Sequence, residues 1–216
     1  MLDEIRRSTA DLAVIAENGT YLITLPYHKE SAMKATEELK KEHDGIELML
    51  RVMSAISGKL AHGEALNTAH IDGILEFLSV FVDTCHHGKE EEFLFPALES
   101  AGVPREGGPI GVLLDEHEQG RKQVARLKQF VSAHQSGDPR AAVGIQDTIK
   151  AYVDLLNGHI AKENTVLFPM ADARLDAKTD AALFEAFERL ERERIGVGKH
   201  EAFHALLDEL QDVYLK

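Results

Sequence analysis

Apolar residues recur at three- and four-residue steps along most of the chain, and this period predicts α-helices. Four such stretches are separated by short segments rich in glycine, proline and polar residues. They cover about residues 31–57, a stretch that begins at Asn67 or Thr68, about residues 110–134, and a stretch that follows an N-cap at Asp138. Four helices of similar length joined by short turns favour an up-down-up-down bundle.

The segments that flank these four stretches have weaker patterns. Residues 2–17 predict a short, imperfect helix, and TYLITLPYH, which Pro26 interrupts, predicts a connecting segment. After the fourth helix, one helix is predicted over residues 179–194 and another after Gly198. The expected fold class is therefore all-α, a four-helix bundle with an N-terminal extension and one or two additional C-terminal helices packed on it. The predicted divisions are residues 1–30, 31–172 and 173–216.

Two stretches of the chain repeat each other. HHGKEEEFLFP begins at His86, and HIAKENTVLFP begins at His159. In each copy the first histidine is followed four residues later by a glutamate, Glu90 or Glu163. Because four residues make about one helical turn, each histidine and glutamate lie on the same face of a helix.

A second repeat involves single histidines. The dipeptide Glu42-His43 recurs 74 residues later as Glu116-His117, and the paired histidines are 73 residues apart. The chain therefore contains two copies of one unit, each with a histidine, a gap of about forty residues, and His-x-x-x-Glu. Each of the four helices contributes one histidine to its apolar stripe, and two also contribute a glutamate. The resulting candidate metal ligands are His43, His86, Glu90, His117, His159 and Glu163.

Imidazoles combined with carboxylates suit iron, manganese or zinc. Four histidines and two glutamates are too many for one tetrahedral ion, whereas two bridging glutamates suit a pair of ions with two histidines each. Such a pair leaves positions open for water, oxide or a small ligand. The alternative, four unrelated helix histidines and two surface acids, is disfavoured because a buried cluster without an ion costs several kcal/mol.

Five further residues are candidates for additional ligands or for contacts behind the ligands. His87 and Glu91 also form a His-x-x-x-Glu pair, but the second copy has isoleucine and asparagine at the equivalent positions. Tyr152, two turns before the fourth histidine, is a candidate cavity-lining residue.

HEAFH, from His200 to His204, fits the H-E-x-x-H motif of zinc peptidases, but leucines occupy the positions where the extended motif needs glycine and histidine. An amphipathic terminal helix, or a supplementary ligand for the bundle's metal, is expected there.

Charge and composition narrow the function classes. The formal net charge of -13 argues against a nucleic-acid partner, since such binding depends on basic side chains. No apolar run approaches the length of a membrane span. Cys85 is the only cysteine of the sequence, so nothing in cysteine usage indicates an oxidising compartment, and a cytoplasmic location is expected.

Three blocks of the sequence resemble the hemerythrin-like proteins, also called HHE cation-binding domains. The blocks are CHHGKEEEFLFPALE, GGPIGVLLDEHEQGR and GHIAKENTVLFPMAD, and the resemblance covers about residues 39–172. It implies a four-helix bundle in which the six candidate ligands hold a non-haem diiron centre with bridging glutamates. Two iron ions with an oxo or hydroxo bridge are the implied cofactor, and manganese or zinc are the substitutes.

One departure from the resemblance limits the implied function. Classical oxygen-carrying hemerythrins have a second histidine one turn after the first on the third helix, where this chain has Arg121. Ligation by five histidines is therefore absent unless His200 or His204 completes it, which argues against reversible oxygen storage.

The function expected from the sequence is binding of O2, NO or a peroxide at an open iron position, in sensing or stress protection. This describes a ligand-binding protein more than a dedicated enzyme. The alternatives are a diiron oxidase, peroxidase or NO reductase with the same ligands, and a metal-stabilised structural or interaction domain. A homo-oligomer and a separate signalling partner both remain open.

Overall fold

The computed structural model describes residues 13–17, 20–24, 32–196 and 198–216. The chain divides into two compact units, residues 1–31 and residues 32–216. Within the described residues, no helix is both long enough and apolar enough to cross a membrane.

The first unit contains a β-hairpin. Strand β1 (Ala13–Glu17) pairs antiparallel with strand β2 (Thr20–Thr24), so that Ala13 lies opposite Thr24 and Glu17 opposite Thr20. The prediction of a helix over residues 2–17 is therefore wrong at β1, and the expected connecting segment contains a strand. The sequences AVIAE and TYLIT flank an Asn-Gly pair, a strong hairpin signal that outweighs an imperfect helical stripe. The other residues of these two predictions lie outside the described residues.

The second unit contains the four long helical stretches, which form an all-α bundle as predicted. The first and third are single helices: α1 (Lys34–Ala61) and α4 (Pro109–Gln135). The second and fourth helical stretches alternate between α-helix and π-helix, whose wider turns are closed by a hydrogen bond between residues five apart. The second consists of α2 (Thr68–Phe77), π1 (Leu78–His87), π2 (Glu90–Leu94) and α3 (Phe95–Ser100). The fourth consists of α5 (Ala141–Lys162), π3 (Glu163–Leu167) and α6 (Phe168–Arg174).

The start of the fourth helix differs from the prediction. Asp138 is not its N-cap, because α5 begins at Ala141 with Arg140 at the cap position. The Asp138 side chain instead accepts a hydrogen bond of 2.9 Å from the Arg140 N–H and closes a turn just before the helix.

Wide helical turns occur at the same place in the two repeats. The N–H of Phe95 donates to the carbonyl of Glu90, and the N–H of Phe168 donates to the carbonyl of Glu163. Each of these five-residue turns precedes a proline, which has no N–H to continue the ordinary pattern. The helices therefore do not end at the prolines but continue through α3 and α6.

The core of the second unit consists of two apolar clusters. On α1, Leu39 belongs to one cluster and Ile46 to the other. His43 lies between these two positions on the same helix and is buried. The bundle therefore has apolar packing on both sides of the level at which the candidate ligands lie.

The predicted C-terminal helices are present and pack on the bundle. They are α7 (Ala177–Leu190), the wide-turn segment π4 (Glu191–Ile195) and α8 (Lys199–Tyr214). Phe187 of α7 is buried in the cluster that contains Leu39, and Phe203 of α8 is buried in the other. The domain divisions at residues 30 and 172 stay a prediction.

The N-terminus of α1 is capped by two aspartates from distant parts of the chain. Asp180 of α7 accepts hydrogen bonds from the backbone N–H groups of Lys34 (3.1 Å) and Ala35 (3.0 Å). Asp172 of α6 accepts one of 3.0 Å from the N–H of Met33. These carboxylates satisfy amides that have no partner within the helix and oppose the positive end of its dipole.

We expect the substitution Asp180→Ala to lower the free energy of unfolding by about 1–2 kcal/mol, because it removes the cap of two helical amides. The measurement is urea unfolding followed by circular dichroism. Asp72→Ala, at an exposed position of α2, is the matched control and should change the free energy by less than about 0.5 kcal/mol. Equal effects of the two substitutions would contradict the capping role.

Candidate metal centre

The six candidate ligands lie together in the interior of the bundle, and all six are buried. The four histidines form two pairs. The Nε2 atoms of His43 and His86 are 3.1 Å apart, and those of His117 and His159 are also 3.1 Å apart. The first pair joins α1 to the second helical stretch, and the second pair joins α4 to α5.

The two glutamates each contact both histidine pairs. Glu163 has Oε2 at 3.2 Å from His43 Nε2 and Oε1 at 3.1 Å from His159 Nε2. Glu90 has Oε1 at 3.8 Å from His86 Nε2 and Oε2 at 3.4 Å from His117 Nε2. Each carboxylate thus divides its oxygens between the two halves of the site, which is the arrangement of a bridging ligand.

Two glutamates that sequence reasoning did not select contact the Nδ1 atoms of His86 and His159, the histidines of the two His-x-x-x-Glu motifs. His86 Nδ1 is 2.8 Å from Glu42 Oε2, and His159 Nδ1 is 3.0 Å from Glu116 Oε2. The signal was present, because Glu42 and Glu116 are the glutamates of the repeated Glu-His dipeptide. Each dipeptide therefore supplies a candidate ligand and the hydrogen-bond acceptor for a histidine on the next helix.

His43 and His117, the histidines of the two Glu-His dipeptides, contact the residues that directly follow Glu163 and Glu90. His117 Nδ1 is 2.7 Å from Glu91 Oε1, and His43 Nδ1 is 2.9 Å from Asn164 Oδ1. Glu91 and Asn164 are equivalent positions of the two repeats. In all four rings Nδ1 faces an oxygen that can accept its proton, so every Nε2 points toward the centre and is the nitrogen that would bind an ion after losing any proton it carries.

Two lysines at equivalent positions of the repeats form ion pairs with Glu42 and Glu116. Lys89 Nζ is 2.5 Å from Glu42 Oε1, and Lys162 Nζ is 2.6 Å from Glu116 Oε1. Lys89 is fully buried and also pairs with Glu191 of π4, so the C-terminal helices contribute to the surroundings of the site. Burial would raise the pKa of Glu42, but His86 and Lys89 outweigh it and lower that pKa.

The centre fits a pair of metal ions. Among the described residues, none donates a hydrogen bond to the four carboxylate oxygens of Glu90 and Glu163, although all four are buried. Buried polar atoms normally have partners, so these oxygens indicate a missing group. Two nitrogens bound at about 2.1 Å and at a right angle would be about 3.0 Å apart, close to the separation in both histidine pairs.

Comparison with known proteins agrees with this geometry. Residues 34–171 match the model of the hemerythrin HHE cation-binding domain. The chain belongs to this family.

Two relatives cover most of this hemerythrin-like chain. An uncharacterized protein of Mycobacterium tuberculosis is 25% identical over 185 residues, which cover 86% of this chain and 71% of the relative. The iron-sulfur cluster repair protein YtfE of Cronobacter sakazakii is 25% identical over 182 residues, which cover 79% of this chain and 81% of the relative. A third relative, YtfE of Dickeya chrysanthemi, is 32% identical over 103 residues, which cover 46% of this chain and 47% of the relative.

The hemerythrin-like site contains two of the five additional candidates. Glu91 lies behind His117, as described above. His87 is buried, and its ring stacks on that of His117 with the ring centroids 3.8 Å apart and the planes inclined at 15°. Tyr152 is also buried, and it lines a cavity together with His87.

His200 and His204 are not brought to the six candidate ligands. They lie on α8 in a separate groove, where the ring centroid of His200 is 5.8 Å from that of Phe81. Within the described part of the chain, neither belongs to a group of three or more candidate ligand residues.

Arg121 occupies the position of the fifth histidine of classical hemerythrins and binds two acids. Its Nε is 2.8 Å from Asp83 Oδ1, and its Nη2 is 2.6 Å from Glu91 Oε1. Burial favours the neutral form of Glu91, but His117 and Arg121 outweigh it and lower its pKa. Arg121 therefore fixes the carboxylate that orients His117.

The carboxylates perturb the histidines of the metal-free site. Burial favours neutral His117, but Glu90 and Glu91 outweigh it and raise its pKa to about 9. The pKa values of His43 and His159 are also raised, since Glu163 outweighs their burial. Burial likewise favours the protonated acid of Glu163, but His159 and His43 outweigh it and place its pKa well below its ordinary value.

For the metal-free protein we expect stability to fall as the pH rises from about 6.5 to about 9. A raised pKa means that folded His117 binds its proton more tightly than unfolded histidine, whose pKa is about 6.5. This stabilisation is complete below pH 6.5 and is lost as the pH passes the folded value. The measurement is the thermal unfolding midpoint in the presence of chelator, with His117→Gln as the control that should show a smaller slope. A midpoint that rises over this window would contradict the assignment.

Proposed function

We propose that the chain holds two iron ions in a non-haem centre that binds a small molecule. His43 and His86 would hold one ion, His117 and His159 the other, and Glu90 and Glu163 would bridge them. The observation that carries this proposal is the division of each buried carboxylate between the two histidine pairs. Manganese or zinc could replace iron at such a site.

The number of ligands supports an open position at each ion. Each histidine pair with one oxygen from each glutamate gives four protein donors, and iron commonly accepts five or six. When bound, the ions would supply Lewis acidity and redox chemistry to a small ligand. The chain's own residues orient the four imidazoles through their Nδ1 atoms, so that each Nε2 is the nitrogen presented to an ion, and exclude bulk water by burying the site.

The proposed ligand is O2, NO or a peroxide, and the proposed role is sensing or stress protection. The relatives named iron-sulfur cluster repair protein support a role in iron chemistry. A cytoplasmic location, with a second copy or a separate protein as a signalling partner, stays part of this proposal.

The experiment that tests this function is an anaerobic titration of the reduced, iron-loaded protein with O2 and, separately, with NO. We expect an absorption change that saturates at a fixed ratio of ligand to protein, because an open position binds the ligand directly. Zinc-loaded protein is the control and should give no such change. Iron-loaded protein with an unchanged spectrum would contradict an open position and would favour a metal-stabilised structural or interaction domain.

A diiron oxidoreductase with the same ligands is the second candidate function, favoured by the similarity to proteins named for a repair activity. It differs from the first in turnover. Sustained consumption of O2, NO or peroxide with an added reductant would identify an oxidase, NO reductase or peroxidase. A single stoichiometric change would identify a ligand-binding protein.

We expect Glu42→Gln to weaken metal binding about tenfold. The substitution keeps the shape of the side chain but removes the charge that polarises His86 and pairs with Lys89, and such outer contacts alter metal affinity by about 10- to 100-fold. The measurement is competition for iron(II) with a chelator of known affinity. Glu47→Gln, on the same helix but outside the candidate ligand groups, is the control. An unchanged affinity in the Glu42 variant would show that this carboxylate does not support the site.

A further inference from the structure

A cavity of about 240 Å³ reaches from the surface to one side of the candidate metal centre. Its lining combines apolar side chains with six polar ones, which are Ser79, Asp83, His87, Arg121, Lys128 and Tyr152. A water molecule occupies about 30 Å³ in the liquid, so the cavity can admit a molecule of two or three heavy atoms together with solvent. One of the lining residues, His87, contacts a candidate ligand, because its ring stacks on that of His117.

Neither ring nitrogen of His87 has a hydrogen-bond partner in the part of the chain that the structure describes, although the residue is only 3% exposed. The nearest acid is Asp83, whose Oδ1 is 3.5 Å from His87 Nδ1 and already accepts a 2.8 Å hydrogen bond from Arg121. A buried imidazole without a hydrogen bond is unfavourable. The observation therefore points to a molecule that enters the cavity and supplies the missing partner.

His87 is not oriented to share an ion with His117. The two rings lie nearly parallel, with centroids 3.8 Å apart. Because the lone pair of an imidazole nitrogen lies in the plane of its ring, two stacked rings cannot direct their lone pairs to one point. Yet a nitrogen of His87 lies within 4.8 Å of a ring nitrogen of His117 and of a ring nitrogen of His159. A small molecule bound at that ion would be within reach of the His87 ring.

Two of the polar lining residues, His87 and Asp83, have no polar equivalents in the second copy of the repeat. In the second copy, Ile160 takes the place of His87 and Leu156 the place of Asp83. Both of these equivalents are buried apolar residues. The two proposed ions therefore have different surroundings, although their ligands are equivalent.

We propose that His87 donates a hydrogen bond to a small ligand that enters through this cavity and binds on the His117–His159 side of the centre. The ligand is a molecule or anion of two or three heavy atoms whose outer atom accepts a hydrogen bond. This inference rests on the proposed function, because it requires an ion with an open position. It adds which ion binds the ligand, by which route the ligand arrives, and which residue recognises it.

The test uses oxidised, iron-loaded full-length protein with sodium azide as the probe. Affinity is measured by absorption titration, and the infrared stretch of bound azide is recorded in H2O and in D2O. We expect His87→Phe to keep the stacked ring and the iron content but to bind azide about tenfold more weakly, the loss typical of one hydrogen bond. Its azide band should also lose the D2O sensitivity of the wild type.

Two further variants separate recognition from structure. His87→Gln, which keeps a donor, should bind azide within about threefold of the wild type, and it carries the test if the phenylalanine variant does not fold. Ile160→Val, at the equivalent apolar position, should leave affinity and azide band unchanged.

Three results would overturn the proposal. The first is wild-type azide affinity and band in His87→Phe, and the second is loss of iron from that variant, which would make His87 a ligand. The third is an equal effect of Ile160→Val, which would contradict the assignment to one side. Iron-loaded wild type that does not respond to azide would instead contradict the proposed open position, and this inference with it.

Discussion

The structure depends on the burial of two carboxylates among four imidazoles. Glu90 and Glu163 are fully buried, and each contacts a histidine from both halves of the repeat. Burying charge is costly unless it is paired, and in the metal-free protein the imidazoles supply that pairing only while they carry a proton. Cations between them would complete the compensation, so the proposed ions would stabilise the fold as well as perform the chemistry.

The rest of the bundle can be understood as support for that arrangement. Wide turns at Glu90 and Glu163 allow each helix to continue past a proline while presenting its histidine and glutamate to the centre. Phe95 and Phe168 stack on His117 and His43, with ring centroids 5.8 and 5.4 Å apart. The C-terminal helices reach the site through Glu191, which pairs with Lys89. Equivalent residues thus perform equivalent tasks in both halves, and His87 is the main departure from this symmetry.

The all-α bundle and the six candidate ligands could be predicted because both depend on short-range spacing and because the chain repeats itself. The residues behind the histidines were harder to predict, since Glu42 approaches His86 and Glu116 approaches His159 only after two helices pack. The hairpin was missed because five-residue strands carry a weak periodic signal, although Asn-Gly between AVIAE and TYLIT indicated it. The isolation of His87 from hydrogen-bond partners within the described residues could not be read from spacing, because it depends on how Arg121 engages Asp83.

The most direct test of the account is the amount of metal that the purified protein binds. Iron per chain can be measured by elemental analysis after anaerobic loading and removal of loosely bound ions, with the chain concentration taken from amino-acid analysis. Two shared carboxylates and two histidine pairs predict two iron ions per chain in the wild type and a clear loss in Glu163→Ala. A ratio of one or less in the wild type, or full iron content in Glu163→Ala, would contradict the account.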